Sequence, residues 1–180
     1  MNELNVCPKD IVICGRSIGS GPAVYLSANR KPGALILISP FKSIRETANN
    51  ILGVLKYVVA DRFNNLEIIN NVTCPLLLIH GQRDNLIPFS HSVQLSEKTG
   101  GPYELLLPEE MDHNEFNAYE DFLEPITNFL KRHSLLYFPS DFIKIDIKQE
   151  FFEIPEYMMN PENIKKKDVM SKLLRKLLKI

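Results

Sequence analysis

Gly15-Arg16-Ser17-Ile18-Gly19 places a serine between two glycines, directly after an apolar run and before a helical stretch. That is the layout of a nucleophile elbow, in which a sharp strand-to-helix turn holds a serine hydroxyl clear of its neighbours. The glycines read as residues that let the turn pack closely, since side chains there would meet the adjoining strand and helix. The backbone N–H of Ile18, beside the helix N-terminus, would face the oxyanion formed when the serine attacks a carbonyl. A serine hydroxyl is a weak nucleophile at neutral pH, so it needs an imidazole base oriented by a carboxylate. Asp84 and His113 are the candidates. Asp84 lies just past an apolar run in His80-Gly81-Gln82-Arg83-Asp84, and His113 past another in Met111-Asp112-His113-Asn114. The chemistry is acyl transfer through an acyl-serine, which requires neither a metal nor an organic cofactor.

Plainer roles exist for the same residues. Ser17 suits a helix cap, Asp84 a turn, and His113 with Asp112 a solvated loop. The other histidines point away from chemistry: His80 reads as a hydrogen-bonded residue near the core, and His91 and His133 as helix-surface residues. Cys14, next to the elbow, reads as a small buried hydrophobe.

The elements that must position these residues alternate. Apolar runs at 10–14 (stopped by Gly15), 34–40 and 75–81, with a fourth at 103–107, read as buried strands. Helical patterns follow at about 17–30, 42–60 and 88–98, with a polar turn at Asn64-Asn65 before the third strand. A last amphipathic stretch carries Phe116, Tyr119, Phe122, Leu123, Ile126, Phe129 and Leu130, with Pro125 placed to kink or split it. Strand, helix, strand, helix with solidly apolar strands predicts a parallel α/β sheet covered on both faces. Ser17, Asp84 and His113 each follow a different strand, so all three should meet at the C-terminal edge of that sheet.

The 180 residues are 44% hydrophobic and 24% charged, which excludes a disordered or fibrous chain. The net charge of −1 gives no sign of a nucleic-acid binder. No apolar run approaches the roughly 18–20 residues that span a bilayer, and MNELNVCPKD lacks the layout of a signal peptide. Cys7, Cys14 and Cys74 are odd in number and form no metal spacing, which reads as free thiols in a reducing, cytoplasmic compartment.

Several stretches carry a resemblance to a known family: Gly-Arg-Ser-Ile-Gly-Ser-Gly (15–21), Leu-Ile-Ser-Pro (37–40), Leu-Ile-His-Gly-Gln-Arg-Asp (78–84), Ile-Pro-Phe-Ser-His (87–91) and His-Asn (113–114). On these, residues 7 to 134 resemble the C-terminal half of an α/β-hydrolase domain of the Bem46-like group. Within it they are most similar to the α/β-hydrolase domain-containing protein 17 group, the protein depalmitoylases. The resemblance implies Ser17 as nucleophile, Asp84 as acid and His113 as base. It implies hydrolysis of an acyl thioester or ester, with an acylated protein or lipid ester as substrate. Met111-Asp112 stands where the family usually has a glycine pair. The family normally has several strands before the elbow, so the expected architecture is an α/β-hydrolase-like sheet with flanking helices, truncated at its N-terminus, with the second oxyanion donor outside this sequence. A lysophospholipid or monoacylglycerol lipase-like esterase is the first alternative within enzymes, and a peptidase of related fold the second. A catalytically inactive fragment acting as a membrane- or partner-binding module is the alternative outside them.

Beyond the hydrolase-like segment (1–134), the composition changes twice. Residues 135–160 are acidic and aromatic, and 161–180 hold seven Lys/Arg against two acids, a local charge of +5. As a helix, 161–180 would set Met170, Leu173, Leu174 and Leu177 on one face and Lys172, Arg175, Lys176 and Lys179 on the other. That is the pattern of a basic amphipathic helix able to lie on an anionic membrane, to dock a partner or to pack on its own domain. The expected location is therefore cytoplasmic, with peripheral membrane association through 161–180.

Overall fold

A computed structural model of the chain describes residues 6–47 and 63–136. Four parallel strands, β1 (Val12–Arg16), β2 (Ala34–Ile38), β3 (Leu76–Ile79) and β4 (Tyr103–Leu106), pair in sequence order. The helices are α1 (Ser20–Arg30), the single turn α2 (Asn65–Ile68), α3 (Ser90–Lys98) and α4 (Glu124–Arg132). Of the helix expected over 42–60, residues 44–47 are helical and 42–43 are not; 48–60 lie outside the described residues, as do 137–180 with the basic segment.

Strand periodicity explains the two cores. Leu35 and Leu37 of β2 and Leu76 and Leu78 of β3 face one side, where Ala23 and Val24 of α1 and Leu95 of α3 cover them. Ala34, Ile36 and Ile38, with Leu77 and Ile79, face the other side and pack on Phe129 of α4 and on Met111. Every residue of β2 and β3 is buried, so these strands are apolar throughout, as a central parallel strand must be.

Three expectations change. β1 does not stop at Gly15 but runs to Arg16, pairing Gly15 with Leu37 and Arg16 with Ile38. Cys14 is exposed, not buried; β1 stands at one end of the strand order among the described residues. In the last amphipathic stretch Phe122, Ile126, Phe129 and Leu130 pack on the sheet, whereas Phe116, Tyr119 and Leu123 stay exposed. A π-helical turn over Ala118–Leu123 gives way to α geometry at Glu124, with Pro125 in the first turn of α4. Among the described residues no helix is long and apolar enough to cross a membrane.

Candidate active site

The elbow begins where β1 ends. Ser17 adopts a left-handed backbone with φ of 50°, which costs an L-residue about 1–2 kcal/mol and has to be held by its surroundings. Ser20 Oγ donates to the Ser17 carbonyl at 2.7 Å. The fully buried Asn65 braces this corner, donating from Nδ2 to the Phe41 carbonyl at 2.8 Å and to Ser20 Oγ at 3.4 Å. Asn65, expected only as part of a polar turn, is thus tied to the elbow. Of the two motif glycines only one is required sterically. A Cβ on Gly15 would stand 2.6 Å from both Ala23 Cβ and the Gly19 carbonyl oxygen. A Cβ on Gly19 would meet nothing within 4 Å, and Gly19 has right-handed helical torsions, contrary to the expectation that both glycines prevent clashes. Ile18 follows Ser17 in a 3₁₀ turn that leads into α1, with its side chain exposed.

Asp84 sits on the loop after β3, and its carboxylate is enclosed by donors. Oδ1 accepts the N–H groups of Leu86 at 3.0 Å and Ile87 at 2.8 Å. Oδ2 accepts from His113 Nδ1 at 2.7 Å. Burial by itself would raise the carboxyl pKa, but the bonds from His80, the Ile87 N–H and His113 outweigh it and hold Asp84 well below the usual carboxylate range. The acid is therefore ionised at neutral pH.

His113 lies on the loop after β4 and is also buried. With Nδ1–H given to the carboxylate, Nε2 is left to accept, and it lies 3.0 Å from Ser17 Oγ. The structure thus joins the three residues expected from sequence in one hydrogen-bonded line at the C-terminal edge of the sheet. The loops bearing acid and base are sewn together by their backbones: Gln82 N–H donates to the Pro108 carbonyl at 3.0 Å and Arg83 N–H to the Met111 carbonyl at 3.1 Å. Met111 buries its side chain in the core cluster under the loop. Arg16 spans from the elbow to this loop, with Nη2 donating to the His113 carbonyl and the guanidinium 5.4 Å from the centre of the Phe116 ring. Nothing in the residue type at that variable position of the motif signals such a role.

The remaining histidines divide. His80 is fully buried and hydrogen-bonded, as expected, and in addition reaches Asp84. His91 is buried on α3 rather than on a helix surface, because that face of the helix turns toward the loop after β2; its Nδ1 accepts the Lys42 N–H at 3.3 Å. Burial, aided by the charge of Lys42, pushes its pKa down to about 4. His133 follows α4, half-buried against the Phe129 ring. Among the described residues no group of three or more His, Cys, Asp or Glu side chains is placed to hold a metal ion.

No family model matches the chain. Curated relatives do: human α/β-hydrolase domain-containing protein 17B is 36% identical over 125 residues, 69% of this chain and 43% of its own length. Protein 17C of Mus musculus is 34% identical over 125 residues, 69% of this chain and 38% of its own length. The chain therefore spans less than half the length of these relatives. Among solved structures, the esterase PF2001 of Pyrococcus furiosus superposes with a TM-score of 0.58 at 21% identity, over 70% of this chain and 54% of that one. Acetyl xylan esterase 1 of a Thermoanaerobacterium species gives 0.56 at 13% identity, over 73% and 47%. These likenesses concern the fold. With the parallel sheet, the order serine, aspartate, histidine and the shared sequence, the described residues have an α/β-hydrolase-like fold and resemble part of the α/β-hydrolase domain-containing protein 17 group.

Proposed function

We propose that this chain carries the catalytic triad of a serine hydrolase that cleaves acyl esters or thioesters. The observation that carries the reading is the unbroken line Ser17 Oγ, His113 Nε2, His113 Nδ1, Asp84 Oδ2, at 3.0 and 2.7 Å. In the first step Ser17 Oγ bonds to the acyl carbon while His113 Nε2 takes the hydroxyl proton. The carbonyl electrons move to oxygen, where the Ile18 N–H and the positive end of the following helix stabilise the charge. Collapse expels the thiolate or alkoxide, protonated by His113, and leaves an acyl-serine. Water then attacks with His113 again as base, releasing the acid and restoring Ser17. Asp84 stays ionised throughout and holds the imidazole in the tautomer that accepts from serine.

The favoured substrate is a long-chain acyl thioester on a protein. What supports it is the likeness to the domain-containing protein 17 group, together with exposed apolar side chains on the loops that bear the triad: Ile18 beside Ser17, Leu86 and Phe89 beyond Asp84, and Phe116 beyond His113. The basic residues of 161–180 would bring the enzyme to anionic membranes carrying such substrates. The test is turnover by the full chain of an S-palmitoyl peptide and of a matched palmitoyl oxygen ester. Thioester cleavage that Ser17→Ala abolishes supports the reading; faster cleavage of the ester transfers it to lipid esters, and turnover that survives Ser17→Ala overturns it. Co-sedimentation with phosphatidylserine vesicles should fall when 161–180 are removed; equal binding by both chains rejects the membrane role.

A further inference from the structure

His80 gives the buried acid a second imidazole. Its side chain is fully buried at the end of β3, where a histidine that only filled space would be an expensive choice over leucine. Nε2 lies 2.8 Å from the Ile87 carbonyl oxygen and 3.3 Å from Asp84 Oδ2. Both atoms are acceptors, so Nε2 must bear the hydrogen. Nδ1 then accepts from Ser92 Oγ at 2.7 Å, and Ser92 is itself fully buried on α3. The ring is fixed at both ends, by a helix on one side and by the acid loop on the other. Ile87, whose carbonyl takes the ring hydrogen, gives its own N–H to Asp84 Oδ1. Oδ2, the oxygen that orients His113, is thus approached by two imidazoles, and His80 is the one held by the scaffold.

We propose that His80, oriented by Ser92, is a positioning residue that holds Asp84 Oδ2 in line with His113 Nδ1. The proposal rests on the triad reading above. Its chemical consequence is definite. Losing the His80 donor leaves more charge on Oδ2, so the proton-bound form of the Asp84–His113 pair gains stability. The pair should then take up its proton at a higher pH. Facing the Asp84–His113 pair are His80 just after β3, His91 from α3 and, at the His113 carbonyl, Arg16 from β1, with Lys42 and Glu46 beyond His91. His91 is pushed down to about 4 by its burial and by the charge of Lys42.

The experiment is an NMR titration of the His113 ring in the full chain, assigned with His113→Gln, for wild type, His80→Leu, His80→Gln and Ser92→Ala. His80→Gln keeps an amide donor near the Nε2 position, while Ser92→Ala frees the ring from α3. The expected result is an upward move of the pair's midpoint of about 0.5–1 pH unit in His80→Leu, a smaller one in Ser92→Ala, and a return toward wild type in His80→Gln. Should His80→Leu not fold, Ser92→Ala decides. An unchanged midpoint in every folded variant that loses the Nε2 donor or the Ser92 anchor overturns the proposal. The titration reads the pair whether or not Ser17 reacts, so failure of the triad reading would appear separately, as absent turnover with an intact shift.

Discussion

Gly81 lies directly beneath the Met111 carbonyl: a Cβ at Gly81 would come within 2.0 Å of that oxygen and 2.5 Å of its carbon. This is where the loop carrying the acid meets the loop carrying the base. Backbone atoms cannot yield as a flexible side chain does, so Gly81→Ala must push the loops apart. We expect a stability loss of about 1–3 kcal/mol by urea denaturation and a fall in serine reactivity of about 100-fold. Wild-type reactivity in Gly81→Ala would contradict this placement of the loops.

Gly19→Ala should behave oppositely. Its added methyl meets open space and its backbone is already right-handed. Stability should stay within about 0.5 kcal/mol of wild type or rise slightly, whereas Gly15→Ala, facing Ala23, should lose about 1–3 kcal/mol. Thermal unfolding of the pair distinguishes the two glycines of one motif.

Arg16 ties the elbow to the histidine loop through the His113 carbonyl and the Phe116 ring. Arg16→Ala should slow acylation of Ser17 about tenfold while changing stability by less than about 1 kcal/mol, because the arginine is exposed. Arg16→Lys should restore little, since an ammonium cannot both reach the carbonyl and stack on the ring. The measurement is the second-order rate of probe labelling.

Stability should fall in two successive steps as the solution is acidified. His91 is pushed down to about 4 from 6.5, so the unfolded chain takes up a proton before the folded one does. Full stability is therefore present above pH 6.5 and declines as the pH falls toward 4, by up to about 3 kcal/mol. Asp84 is held below its ordinary value of 3.8, so its contribution is present above 3.8 and is lost as the pH falls further. Urea denaturation of His91→Gln across this range should remove the first step and leave the second. An equally steep first step in His91→Gln would assign it elsewhere.

The parts legible in the sequence are those where one residue's chemistry meets a strong local pattern. Leu35–Ile38 and Leu76–Ile79 are buried on both faces, so their apolar runs announce central parallel strands. Ser17, Asp84 and His113 each stand just past such a run, which is why their meeting at one sheet edge could be anticipated. Cys14 and His91 depart from their local patterns for a common reason: burial at those positions depends on what lies across space. Cys14 has the apolar neighbours of a core residue but sits on an end strand, and His91 occupies a polar helix whose inner face meets the loop after β2. The brace from Asn65 through Ser20 to Ser17 links positions 45 and 3 residues apart. No periodicity marks it, and the same holds for Arg16 and His113, 97 residues apart.

The central claim is that Ser17 is a nucleophile activated by His113 and Asp84. The most direct measurement is fluorophosphonate labelling of the full chain, read by intact mass and by peptide mapping. A single adduct on Ser17, absent in Ser17→Ala and slowed at least about 100-fold in His113→Ala, is the expected result. An adduct on another residue, or equal labelling of wild type and Ser17→Ala, would contradict it.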